Sequence, residues 1–344
     1  MRIAVVASPV TPLQPAQLGG AQSILTDLAV GLAGRGHDVR LYCAAGSAVP
    51  GIRLVTVPAP QDATAALVIP GGRSARPAPG VDAAIRAMFE AVVADRPDVV
   101  SQHAFDAEAF RAAAGLKVLH TLHLPPLVPE VVEAVRGVAA AHLATVSEAC
   151  RRAWMQAGVE VGIVLPNGVA VIETPDLEPD GFALIAGRLS REKGVDLALE
   201  AIRRAGLPAR IAGPRFDPAY EIDLDGAEQA GHLSREELRR LMARSAVTVC
   251  APRWDEPFGL VAAEAQMAGC PVAAFARGGL PEVIEDGVSG RLAPPDDVAA
   301  LAEAIVDCRK LDRREVRRSA QRRLGLDAVI ERYESALAKV ASLS

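Results

Sequence analysis

The sequence predicts an α/β protein of two doubly wound parallel-sheet domains whose carboxyl-end loops share a central cleft. Three observations carry this. The chain has 344 residues, about twice a typical ~150-residue domain. Short apolar, β-forming runs alternate with helical patterns along its length, the signature of parallel βα units. The alternation stops once, in the proline- and acid-rich stretch 166–181 (PNGVAVIETPDLEPDG), and then restarts. That stretch reads as a linker, so the first domain is expected to end near residue 165.

Taken in order, Ile3–Ala7 reads as a buried strand. Ala21–Leu32 reads as an amphipathic helix closed by Gly34 and Gly36, and Asp38–Cys43 as the next strand. Further strands are expected at Leu54–Val57, Asp98–Gln102, Lys117–Leu122 and Leu143–Val146. Residues 58–82 are rich in Pro, Gly and Ala without a clear period and read as an irregular excursion. After the linker, strands are expected at Phe182–Ala186, Ala209–Gly213, Val247–Ala251 and Pro271–Ala276. From about 298 onward the pattern is helical. There the arginines of 309–323 read as a solvated helix face, since no Trp or Phe stripe accompanies them as a membrane-surface helix would require.

Composition excludes several classes. Half the residues are hydrophobic, ample for two cores. No apolar run reaches the ~18 residues of a membrane span, and the start MRIAVVASPVTP is too weakly apolar for a signal peptide. These features predict a cytoplasmic protein without membrane association. A net charge of −5 argues against nucleic-acid binding, which needs a basic face. The five cysteines (43, 150, 250, 270, 308) are scattered, with no CxxC, which argues against a zinc framework and against disulfides. Only four of the 37 basic residues are lysines, Lys117, Lys193, Lys310 and Lys339, so a lysine in a loop draws notice.

Three segments could carry chemistry at the strand ends, where open parallel sheets bind ligands. Gly19-Gly20 precedes the first helix, where glycine lets backbone approach an anion; an ordinary capping turn explains it equally well. Arg188 and Lys193, in GRLSREKG directly after a strand, form a cation pair able to grip two phosphates; a solvated turn is the plain alternative. The third segment, CAPRWDEPFGLVAAEAQMAGCP, sets Glu256 and Glu264 eight apart. Pro257 ends an extended stretch, so Phe258, Gly259 and Leu260 supply free N–H groups at a helix start, suited to a diphosphate. Glu264 lies within an apolar helix, where a lone carboxylate must find a partner, a ligand or an arginine.

These segments, with GHLSREELRRLMARSAVTVCAPRWDEPFGLVAAEAQMAGCPVAAFARGGLPEVIEDGVSGRL, resemble the signature of family-4 glycosyltransferases. The resemblance extends over nearly the whole chain through VLHTLH, ATVSEA and LPNGV. It implies the GT-B fold, an N-terminal acceptor-side domain over 1–165, a donor domain over 166–322, and a helix over 323–344 that returns to the first domain. It implies retaining, metal-independent transfer of a hexose from a nucleotide sugar, with UDP commoner than GDP or dTDP. Position by position, Arg188 and Lys193 hold the diphosphate, Glu264 the ribose, and Glu256 the donor sugar beside the Phe258–Leu260 amides. Gly20 touches the diphosphate and His123 faces the transferred sugar. His103 is expected on the acceptor side, and His120 reads as a core histidine. Two positions depart from the family pattern: Arg253 stands where Ser is common, and Ala170 where Asp is common.

Asp223-Leu224-Asp225 spells a DxD like that which holds a metal on diphosphates elsewhere, but it falls in an acidic turn, and the cation pair already answers the electrostatic need. No cofactor or metal is therefore expected. A small soluble acceptor is favoured over a lipid. The competing readings are a sugar-nucleotide epimerase of the same build, and a non-catalytic nucleotide-sugar binding protein. The oligomeric state is not legible.

Overall fold

The structure, a computed structural model, describes residues 1–14, 20–67, 76–171, 178–216 and 219–343. The chain divides into two compact units: Met1–Val68, Arg73–Gly168 and Asp327–Ser344 belong to the first, and Val169–Leu326 to the second.

Unit 1 runs β1 (Arg2–Val6), α1 (Ala21–Gly34), β2 (Asp38–Ala44), β3 (Arg53–Val57), α2 (Pro79–Asp95), β4 (Val99–Gln102), α3 (Ala107–Ala112), β5 (Val118–Leu122), α4 (Pro129–Arg136), β6 (Leu143–Thr145), α5 (Glu148–Gln156) and β7 (Ile163–Val164). Its sheet is parallel, in the order β3-β2-β1-β4-β5-β6-β7. Strand order reverses between β1 and β4, which makes their carboxyl ends a ligand-binding position of a doubly wound sheet. β4 and β5 are buried along their whole length, as expected of central strands covered by helices on both faces.

Unit 2 runs β8 (Ala183–Ala186), α6 (Val195–Arg204), β9 (Ala209–Ala212), β10 (Ala227–Gly231), α7 (Arg235–Arg244), β11 (Val247–Cys250), α8 (Leu260–Met267), β12 (Val272–Phe275), α9 (Leu280–Val283), β13 (Gly290–Ala293), α10 (Val298–Cys308) and α11 (Arg313–Leu324). The order is β10-β9-β8-β11-β12-β13, again parallel, reversing between β8 and β11. Leu199, Ile202, Val249, Phe275 and Ile305 fill the core between sheet and helices.

The final helix, α12 (Leu326–Ser342), belongs to unit 1 from Asp327 onward. It buries Val329, Ile330, Tyr333, Ala336, Leu337 and Val340, the 3–4 residue spacing of one helix face. Ile330 fills the space above Gly31, where a Cβ would lie 2.7 Å from it. Glu334 pairs with Arg35 and His37, and Lys117 Nζ donates to the Ala341 carbonyl at 2.6 Å. The break before α12 falls at Gly325, beyond the expected 322/323 boundary.

Some expectations need correction. Gly34 is the last residue of α1 rather than a residue beyond it, Arg35 caps the helix, and Gly36 follows at a φ of +88°, which suits glycine. The stretch 58–82 is not wholly irregular: a 3₁₀ turn spans Ala63–Ala65, and α2 begins at Pro79 in the first-turn position proline favours. Residues 68–75 of that stretch lie outside the described residues.

The arginines of α11 are not a solvated face throughout. Arg313 donates to the Ala243 and Ser245 carbonyls, Arg317 to Ala268, and Arg323 to Glu282 and Val283. One helix thus supplies donors to carbonyls at the ends of α7, α8 and α9, groups that a helix end leaves without intrahelical partners. Arg318 and Arg322 pair with Glu315 on the outer side.

Candidate active site

The site-forming loops of unit 2 leave its sheet at the reversal point. β8 ends at Ala186, and Gly187 follows at φ +115°. Gly213, after β9, packs so closely that a Cβ there would lie 1.9 Å from the Gly187 carbonyl. Arg188 comes next, half-exposed, its guanidinium 4.5 Å over the Phe216 ring and 3.5 Å from Glu192. Glu192 is buried and accepts from Ser190 Oγ at 2.6 Å, fixing the turn from which Arg188 and Lys193 project. Gly194 closes that turn at φ +60°, where a Cβ would lie 1.9 Å from the Ala251 carbonyl, so no other residue fits without moving the end of β11.

Lys193 reaches across to the loop after β11. Its Nζ donates to Glu256 Oε2 at 2.7 Å, and Trp254 Nε1 donates to the same oxygen at 3.0 Å. The ammonium also lies 5.6 Å from the Trp254 ring. Lysine and glutamate, given separate roles by the sequence, are therefore a direct ion pair.

The Glu256 loop is clamped by the Gly278-Gly279 turn after β12. Gly279 N–H donates to the Glu256 carbonyl at 2.6 Å, and a Cβ on Gly278 would lie 2.3 Å from that carbonyl at a φ of +60°. Arg277 donates to the Pro252 carbonyl at 3.0 Å. Sequence reasoning misses these glycines; two adjacent glycines within a few residues of a strand end are the signal that could find them.

α8 begins at Leu260, with Gly259 as its N-cap at φ +100° and Phe258 one residue before the cap. Of the expected trio only Leu260 is helical, because Gly259 adopts a left-handed conformation that cannot continue the turn. The amides of 258–260 donate to no acceptor among the described residues. Glu264 is 2% exposed within α8 and stands 3.5 Å from Arg235 at the start of α7. An arginine partner is thus present, as burial of a carboxylate demands.

Arg253, the departure from the family pattern, grips Asp196 in the first turn of α6 through both guanidinium nitrogens, and Tyr220 donates to the same carboxylate at 2.6 Å. Although burial opposes it, hydrogen bonding to Arg253 and Tyr220 holds the Asp196 carboxyl down at about 2. Among the described residues no group of three or more His, Cys, Asp or Glu is arranged to hold a metal. Asp223 Oδ1 instead accepts from the Asp225 amide within its own turn.

In unit 1, Gly20 caps α1 with φ +81° and, among the described residues, no side chain caps the helix; Gly19 lies outside the described residues. His123 follows β5 and is half-buried. Its Nε2 meets His103 Nδ1 at 2.9 Å, and His103 Nε2 meets Ser101 Oγ at 2.8 Å. His103 is 5% exposed with both ring nitrogens occupied. Burial pushes His103 well below the usual imidazole range and His123 down to about 4. His120 is a core residue, stacked on Phe110 and bonded to Gln102, and burial lowers it to about 3.

A pair of doubly wound parallel-sheet units, one presenting cations, a carboxylate and a helix start at its reversal point, is the GT-B build of nucleotide-sugar glycosyltransferases. Known structures agree on the fold. AviGT4, a glycosyltransferase involved in avilamycin A biosynthesis, superposes with a TM-score of 0.71 at 22% identity over 99% of this chain and 98% of its own. Anabaena Alr3699/HepE in complex with UDP-glucose gives 0.73 at 21% identity over 98% and 100%. Residues 18–171 match the description "Glycosyltransferase Family 4" and residues 173–323 "Glycosyl transferases group 1". The chain belongs to glycosyltransferase family 4. A D-inositol 3-phosphate glycosyltransferase from Nocardioides sp. is 34% identical over 177 residues, 43% of this chain and 38% of that protein. The chain thus matches well under half the length of that curated relative.

Proposed function

We propose that the protein is a retaining glycosyltransferase that moves a sugar from a UDP-sugar to a hydroxyl of a small soluble acceptor without a metal ion. The observation that carries this reading is the convergence of Arg188, the Lys193–Glu256 pair and the open amides of 258–260 at the β8/β11 reversal. Departure of a nucleoside diphosphate builds negative charge on its phosphates. Two cations and a helix start aimed there stabilise that charge, and they do so most where charge is greatest. Glu256 keeps Oε1 clear of its two donors, which both use Oε2, leaving an acceptor for a sugar hydroxyl. Glu264, held by Arg235, is the candidate for the ribose hydroxyls. UDP and UDP-glucose are bound by Alr3699/HepE, which supports uridine as the base.

Thermal-shift titration with UDP, GDP and dTDP tests the donor site. UDP is expected to raise the melting temperature most, by mass action on the folded state; a flat response to all three overturns the reading. Turnover unchanged by EDTA is expected, and loss on chelation overturns metal independence. The anomeric configuration of the product, read by proton NMR, decides retention. Epimerase action would instead convert the donor with no acceptor present.

A further inference from the structure

A buried chain of hydrogen bonds in unit 1 ends on the one site histidine with a ring nitrogen to spare. Ser101 and His103 are two apart at the end of β4 and so share a sheet face. Ser101 is fully buried, and its hydroxyl has a single partner among the described residues, His103 Nε2. A buried O–H left without an acceptor is costly, so Ser101 donates and Nε2 accepts. A neutral imidazole that accepts at one nitrogen donates at the other. His103 Nδ1–H therefore donates to His123 Nε2 at 2.9 Å, and His123 must carry its own proton on Nδ1. Burial keeps both rings neutral, and the Tyr333 ring of α12, centred 6.2 Å from that of His103, covers the buried one.

We propose that Ser101 and His103 are positioning residues that lock His123 as its Nδ1–H tautomer, so that His123 presents a hydrogen-bond donor, never an acceptor, to a sugar hydroxyl. Among the described residues Nδ1 of His123 has no protein partner. The effect on turnover rests on the transfer reading above; the tautomer does not.

The test is ring ¹⁵N NMR of the full-length protein labelled in histidine, with the His123 signals assigned by their loss in His123→Gln. Protonated Nδ1 and unprotonated Nε2 are expected in the wild type. Ser101→Ala is expected to shift His123 toward the Nε2–H form and Ser101→Thr to restore the original. Turnover of Ser101→Ala is expected to fall roughly two- to tenfold, the range of one lost hydrogen bond, with recovery in Ser101→Thr. UDP affinity, which belongs to unit 2, is expected to stay unchanged. A wild-type Nε2–H tautomer, or one that Ser101→Ala leaves unmoved, overturns the proposal. Failure of the wild type to bind UDP or transfer sugar overturns the functional reading instead, and the tautomer read by NMR still decides the proposal.

Discussion

Replacing Lys193 with alanine separates the ion pair its ammonium makes with Glu256 from the role proposed for it in transfer. In the free protein it neutralises Glu256, a contact between side chains 27% and 16% exposed. A partly solvated pair of this kind contributes about 1 kcal/mol. The variant does not orphan the carboxylate, because Trp254 Nε1 still donates to it. A domain of this size should lose roughly 2–4 °C of melting temperature per kcal/mol. In the proposed reaction the same ammonium would face a departing diphosphate, where a charged hydrogen bond is worth about 1.5–3 kcal/mol, or roughly 10- to 150-fold in rate. A small stability loss beside a large rate loss is the expected outcome. Scanning calorimetry measures the first, and UDP release from UDP-glucose measures the second. A Lys193→Ala protein that turns over within twofold of wild type refutes the leaving-group role, and unchanged UDP affinity by titration calorimetry would deepen the refutation.

Three further outcomes follow from the geometry. Arg253→Ser removes the bidentate grip on Asp196; because that carboxyl is held at about 2 in the fold, its contribution is present above pH ~4 and disappears as pH falls toward 2. With the carboxylate 42% exposed, solvent screening limits the loss at pH 7 to about 1 kcal/mol, and urea melts at pH 7 and pH 3 should show the variant's deficit shrinking in acid. Buried neutral His120, lowered to about 3, makes unit 1 acid-sensitive: below the unfolded pKa of ~6.5 the unfolded chain takes up a proton that the fold refuses, costing up to about 1.4 kcal/mol per pH unit. His120→Gln should flatten part of the fall in stability between pH 6.5 and 4, and an unchanged slope would contradict its burial as a neutral ring. Gly278→Ala must place a methyl 2.3 Å from the Glu256 carbonyl, so a loss of roughly 2–4 kcal/mol in stability is expected, together with weakened UDP binding; a wild-type melting curve would show that the turn can shift freely.

The architecture is readable because central strands of a parallel sheet are apolar runs, and the strands found at Val247–Cys250 and Val272–Phe275 are such runs. β10 escapes because it is a polar edge strand, AEQAG, exposed at its second, third and fifth residues. β7 is two residues long, and β13 opens on Gly290, a weak strand former placed there because a Cβ would meet the Val272 carbonyl at 2.1 Å. Arg188, Lys193, Glu256 and Glu264 stand out as candidates through local spacing, but a solvated turn or a salt bridge explains them as well until the family resemblance gives them roles. That Lys193 and Glu256 would pair is not visible there, since 63 residues separate them and the contact depends on β8 and β11 being neighbours. The Ser101–His103–His123 chain is hidden for the same reason: it needs β4 beside β5. Arg253 reads from sequence as a gap in the family pattern, because its partner Asp196 lies 57 residues earlier and only the fold brings the two together.

The guanidiniums of α11 set a rule for dividing this protein. A fragment that stops after α10 would strand carbonyls of α7, α8 and α9 that now receive arginine donors. A free-standing version of the second unit keeps these donors only if it extends through Arg323.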